Sequence, residues 1–252
     1  MPSTLDLVLA GTAAFVAGGV NAVAGGGTLV SFPALMGVGV SSLQANVTNT
    51  VALCPGYFGG AVAQRHALAD HRHRLRVMLP IAAGGGLVGS ILLVITPERA
   101  FDAVVPYLIL AACGLLAFQD RIKRAVFGHR TPSAAPVPVP LMIGVFIAAV
   151  YGGYFGAGLG IMLLAVLGMM LDSELPKLNA VKQVLALTIN VLAALFFVAS
   201  GKVEWAFAAV MAPTSLVGGH VGGLVAGRLN AKVLRSVVIA FGVAVALRKL
   251  LF

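Results

Sequence analysis

Two apolar stretches of this chain are too long to be single membrane helices, and glycine interrupts each at the same relative place. The first covers about residues 5–38 and holds Gly25-Gly26-Gly27. The second covers about 139–171 and holds Gly156-Ala157-Gly158-Leu159-Gly160. About 33 residues at 1.5 Å each would make a helix of roughly 50 Å, against a hydrocarbon core of about 30 Å. Each stretch must tilt, bend or divide around its glycines. The breaks are also in register. The offset that carries Gly11 onto Gly144, 133 residues, carries Gly19 onto Gly152, Gly25 onto Gly158, Gly27 onto Gly160, Asn46 onto Asn179, Pro80 onto Pro213 and Gly89 onto Gly222, without a gap. Apolar matches come cheaply in such a chain, but a register of Gly, Asn and Pro does not. In a membrane protein, paired broken helices in duplicated halves point to a transport site.

Composition supports the membrane setting. Apolar residues make up 60% of the chain and charged residues 10%, against about 45–50% and 25% in soluble domains. The charges cluster between apolar stretches of about 20 residues, the length of a bilayer-spanning helix. The net charge of +9 reflects basic loops, since Lys and Arg accumulate on the cytoplasmic side. It does not signal nucleic acid, for which no aromatic-interleaved basic patch is present. Cys54 and Cys113 lie in apolar segments without metal-ligand spacing, so neither a disulfide framework nor a metal site is expected.

The resulting fold class is all-α. We expect a polytopic membrane protein of about eight transmembrane helices in two homologous four-span repeats, with the first and fifth spans discontinuous. Residues 1–118 form the first repeat, 119–140 a basic and then Pro/Ala-rich cytoplasmic linker, and 141–252 the second repeat. With eight full spans, Arg65, Arg72, Arg74 and Arg76 share a side with the linker, with Lys202 and with Arg248-Lys249, so both termini are expected in the cytoplasm. If the second piece of each broken span re-enters, each half crosses an odd number of times and the repeats are inverted. Four full crossings make them parallel, and the loop charges favour parallel.

Three groups of residues carry candidate chemistry. A helix start offers unpaired N–H groups and a positive dipole end, a natural anion site, and glycine lets the backbone approach a ligand. Gly25, Gly26, Gly27 and Thr28 would serve in one half, and Gly156, Gly158 and Gly160 in the other; dry helix packing is the competing role. The second and sixth spans carry polar stripes. Asn179, Gln183 and Asn190 share a helical face with Lys182 beside it, and the offset gives Asn46, Thr50 and Tyr57 with Asn49 beside them. Such stripes face a bundle interior or a cavity, either to orient a ligand or to join helices. Lys182 would attract an anion, unless it snorkels to the interface. His220 is a candidate for proton coupling, with a packed neutral imidazole as the alternative. No nucleophile–base pair or metal cluster appears, so an enzyme is not expected.

The segments AGGVNAVAGGGTLVSFPAL with LQANVTNT, and GGYFGAGLGIMLLAVLGMM with LNAVKQ and SGKVEW, resemble the two halves of the sulfite exporter TauE/SafE family, also called the toluene-sulfonate uptake permease family. Val166 stands where the first half has Pro33, a departure from the duplicated pattern. The resemblance implies a bacterial inner-membrane carrier of sulfur-containing anions such as sulfite, organosulfonates or sulfoacetate. The expected function is secondary transport at a site between the repeats, without a cofactor. The partners are a small anion, the lipid bilayer and, as a candidate, a second copy of the chain. An anion channel or a non-transporting membrane subunit is the alternative.

Overall fold

A computed structural model describes residues 2–23, 25–127, 137–171, 173–225 and 231–251. Among the described residues every regular element is helical. In chain order they are α1 (Thr4–Val23), α2 (Thr28–Gly37), α3 (Ser42–Ala63), a 3-10 segment (Arg65–His71), α4 (Arg72–Ile95), α5 (Glu98–Phe127), α6 (Val139–Tyr154), α7 (Leu159–Met170), α8 (Leu175–Ala199), α9 (Trp205–Val225) and α10 (Ala231–Leu251). Both over-long stretches divide at their glycines, the first into α1 and α2 and the second into α6 and α7. The second pieces, of 10 and 12 residues, reach only about 15–18 Å at 1.5 Å per residue. They are half-spans. Among the described residues, five helices are long and apolar enough to cross a bilayer: α1, α4, Glu98–Phe118 of α5, α8 and α9. α5 continues to Phe127, so helix occupies the start of the expected linker.

Contacts between helices fix their directions. On α1, Gly11 packs against Val210 and Gly19 against Gly222, so α1 and α9 are parallel. α3 runs the same way, because Thr48 Oγ1 accepts from the Glu204 N–H, Ser215 donates to the Ala52 carbonyl and Gly59 meets His220. α1 and α3 can both run forward only if α2 comes back between them. It does: Gly27 presses on Ala17 of α1, and Met36 at its far end meets Ser42 at the start of α3. α8 opposes α3, with Asn179 bonded to Gln64 and Gln183 against Gly60. α4 and α6 are parallel, with Gly85 against Ala149 and Gly89 against Tyr154. α5 and α10 are antiparallel, joined by the Asp102–Lys249 ion pair and by Cys113 beside Ile239.

Two ends of the bundle follow. One holds the start of α1, the α2–α3 turn, Lys202 and the end of α10; we call it the tail face. The other holds the 3-10 segment, the starts of α4, α6, α8 and α10, and the end of α5. His71 Nε2 lies 2.9 Å from Ser173 Oγ there, joining two loops that the eight-span reading put on opposite sides. Shifting the second-half helices back by 133 residues puts α6 at 6–21, α7 at 26–37, α8 at 42–66, α9 at 72–92 and α10 at 98–118, close to the bounds of α1–α5. Matched helices run in opposite directions. The parallel arrangement favoured by the loop charges therefore does not occur, because α2 and α7 turn back and reverse every later crossing.

The two halves are interleaved rather than side by side. α9 packs on α1 and α3, while α4 packs on α6 and α8. Glycine allows this closeness: a Cβ on Gly219 would stand 2.0 Å from the Gly56 carbonyl oxygen, and one on Gly89 2.0 Å from that of Val150. Leu5, Ile95, Tyr107, Leu195 and Val237 face outward, as a lipid-facing surface requires. The helix directions make a direct prediction. In a background lacking Cys54 and Cys113, cysteines placed at His66 and at Lys202 should react with a membrane-impermeant maleimide from opposite sides of the membrane. Labelling of both from one side would overturn the assigned directions.

Candidate functional site

The two helix breaks meet. A Cβ on Gly25 would lie 2.8 Å from the Cα of Gly160, and one on Gly160 2.7 Å from that of Gly25. Gly25 has a φ of 85° and Gly158, which precedes α7, a φ of 79°; side chains other than hydrogen are strained there. These glycines are needed both for the turn and for the contact.

A broken helix exposes its last carbonyls and the first N–H groups of the next helix, and apolar surroundings make each unpaired group costly. At the first break the α1 carbonyls are taken by the second half. Lys182 Nζ donates to the Asn21 carbonyl at 3.1 Å, and Asn179 Nδ2 to that of Ala22 at 3.1 Å. Gln64 Oε1 accepts a second bond from Asn179 at 2.7 Å. The Asn21 side chain reaches across the break, its Oδ1 accepting from the Gly27 N–H at 2.7 Å. At the second break Asn46 Nδ2 donates to the Tyr154 carbonyl at 2.8 Å, and the Tyr151 hydroxyl to that of Ala157 at 2.6 Å. Each half thus caps the other's broken helix with the equivalent asparagine. Phe32 of α2 packs edge-on against Phe155, with ring centroids 5.3 Å apart.

Most residues expected at a site come together here, though not all in the expected role. Lys182 is fully buried and its Cδ is a neighbour of Gly160, so it points inward rather than snorkelling. Gln183 is fully buried, lies against Gly60, and has no hydrogen-bond partner among the described residues at either amide atom. Thr28 and Thr50 are buried, and Thr50 donates to the Asn46 carbonyl. Tyr57 lies against Thr28 and Asn190, its own counterpart at the 133-residue offset. Three N–H groups among the expected anion donors are already used: Gly25 bonds to Val20, Gly27 to Asn21 and Gly156 to Tyr151. Among the described residues, those of Gly26, Gly158 and Gly160 take no backbone acceptor in these turns. His220 is not brought to the junction. It is exposed on the outer face of α9 with Leu216, Val217 and Leu224, because a helix packed by Gly218, Gly219 and Gly222 turns His220 away from the bundle.

Asn21 was missed by sequence reasoning, although a lone Asn just before a glycine break in an apolar run was a usable signal. Cavities open at both ends of the bundle, and the first includes the capping Asn179. One of about 440 Å³, at the end carrying the 3-10 segment, is lined by Val23, Gln64, His66, Leu175 and Asn179 among others. Another of about 470 Å³ opens at the tail face by Met36, Ser42, Asp102, Arg248 and Lys249.

Comparison with known proteins places the chain in a family. The model of the sulfite exporter TauE/SafE family matches residues 10–249. The chain belongs to that family. Among curated TauE/SafE-like relatives, a Sinorhizobium protein named probable membrane transporter protein ORF9 is 28% identical over 243 residues, covering 94% of this chain and 90% of its own. Probable membrane transporter protein YfcA of Escherichia coli K12 is 26% identical over 248 residues, covering 95% and 87%. A probable membrane transporter protein of Haemophilus influenzae is 26% identical, covering 82% and 80%. No solved structure matches. This TauE/SafE chain is accordingly a multi-pass protein of a membrane-transporter family.

Replacing a capping asparagine should show how much the junction depends on it. An orphaned buried acceptor costs about 1–3 kcal/mol, so Asn46→Leu and Asn179→Leu should each lower the melting temperature of the detergent-purified protein. A thermal scan checks this; unchanged melting in both variants would mean that these carbonyls find other partners.

Proposed function

We propose that this protein is a secondary transporter of small sulfur-containing anions, sulfite or organosulfonates, which bind where the two helix breaks meet. One observation carries the reading: a fully buried lysine, Lys182, stands at the junction of the breaks. A lysine inside a membrane bundle is expensive and marks a substrate pathway by default. Beside it, the N–H groups of Gly26, Gly158 and Gly160, which take no backbone acceptor among the described residues, lie at the starts of two half-helices whose positive dipole ends favour negative charge. Gln183 adds an unpaired amide. The family description supports sulfite as substrate class, and tetrahedral or pyramidal oxyanions suit several converging N–H donors.

The two halves are read as inverted repeats, the architecture that places a midplane site between discontinuous helices and alternates access by rocking. The cavities at either end serve as the two vestibules. The membrane is the bacterial inner membrane, and the charge distribution sets orientation. Arg65, Arg72, Arg74, Arg76, Arg121, Lys123, Arg124, Lys177, Lys232 and Arg235 belong to helix ends or loops opposite the tail face, and Arg99, Lys202, Arg248 and Lys249 to the tail face. Among the described residues, ten against four favours the tail face outside. The start of α1 and the end of α10 then lie on the periplasmic side, the reverse of the eight-span expectation.

Hydrogen bonds to charged groups contribute about 1.5–3 kcal/mol. Lys182→Gln should therefore weaken anion affinity by roughly 10- to 150-fold, measured as saturable flux in proteoliposomes over sulfite, sulfonates, sulfate and carboxylates. Unchanged affinity in a well-folded Lys182→Gln protein would remove the site, and non-saturating conductance would replace the carrier with a channel.

A further inference from the structure

The two breaks are matched in geometry but not in charge. At the end of α1 the Asn21 carbonyl receives an ammonium, Lys182 Nζ, at 3.1 Å. At the 133-residue offset Asn21 corresponds to Tyr154 and Lys182 to Asn49. The Tyr154 carbonyl receives only the neutral amide of Asn46, and Asn49 stands at the lysine's register one turn further along α3. A helix C-terminus carries about half a negative charge, and in an apolar interior that favours a cation. The first break has one built in. The second has none from this pair of positions.

The side chains there are acceptors in need of a donor or a cation. Asn46 and Asn49 are 1% and 2% exposed, and among the described residues the Oδ1 of each has no hydrogen-bond partner. The orientation of the Asn46 amide is set by its bond to a carbonyl, which requires Nδ2 on that side. Its Oδ1 is therefore a true orphaned acceptor beside the end of α6. Burying such a group unpaired costs free energy, more so where no water can reach it. Amide and carbonyl oxygens at a half-helix C-terminus are the ligands that transporters offer to a coupling cation.

We propose that the end of α6 binds a monovalent alkali cation, Na⁺ or one of similar size, held by Asn46 Oδ1, Asn49 Oδ1 and backbone carbonyls of the second break, in the place that Lys182 fills with a tethered ammonium at the first. None of these groups takes up a proton near neutral pH, which favours a metal cation over a proton as occupant. Bound there, the cation would complete the symmetry of charge across the junction and offset the charge of an incoming anion. Its coupling role rests on the transport reading above; its binding does not.

The test is a thermal scan of the purified full-length protein in NaCl against choline chloride at equal ionic strength and fixed pH, without anion substrate. Wild type should melt higher in NaCl, with a saturable dependence. Asn49→Lys supplies the tethered ammonium and should lose the NaCl response. If that variant fails to fold, Asn49→Ala should fold and show at least a tenfold weaker NaCl dependence. No NaCl effect on wild type, a full effect retained in Asn49→Lys or Asn49→Ala, or a stabilisation that follows pH but not Na⁺ would each overturn the cation site. Because chloride is equal in both arms and no anion substrate is added, these outcomes leave the Lys182 anion site to its own flux measurement.

Discussion

Two helices end and two begin inside an apolar bundle, and the rest of this structure is arranged to satisfy those ends. In lipid an unpaired backbone group has no water to turn to. Asn179 and Lys182 of the second half close the end of α1, and Asn46 of the first half helps close the end of α6. Asn21 and Tyr151 bond within their own breaks, but the Asn21 and Tyr154 carbonyls are met by side chains of the opposite half. That mutual dependence explains why α9 lies on α1 and α3, and α4 on α6 and α8. Interleaving is the packing that brings α3 and α8 to each other's breaks.

Glycine makes this exchange possible at short range. Helices in lipid gain little from hydrophobic association and rely on close packing. The contacts of Gly219 with Gly56 and of Gly89 with Val150 leave no space for a methyl group. The Gly25–Gly160 contact does the same for the breaks themselves. A polar junction thus forms without opening the outer surface, where large apolar side chains remain exposed.

Much of the candidate site was legible in the residues, because polar groups are rare and costly in an apolar chain. Gly25, Gly160, Asn46, Asn179, Lys182 and Gln183 could be selected from spacing alone. Their roles could not. Whether a stripe amide faces a ligand or caps a helix depends on what stands opposite, and for Asn46 and Asn179 that is a carbonyl of the other half. Likewise His220 carried the right chemistry on a helix whose glycine face turned it outward. The loop charges were read against a count of eight full crossings. Once α2 and α7 turn back, those loops regroup, because every crossing after a break is reversed.

By itself the sequence determined that this chain is an all-helical membrane protein, that its halves match at 133 residues, and that its two over-long spans break at glycine. Those conclusions rest on local quantities: helix rise against bilayer thickness, and the cost of polar groups in lipid. The tertiary structure alone decided that the broken pieces fold back, that the matched helices run in opposite directions, and that each half caps the other. Those depend on which carbonyl meets which side chain across more than a hundred residues of chain, a pairing that no local period encodes.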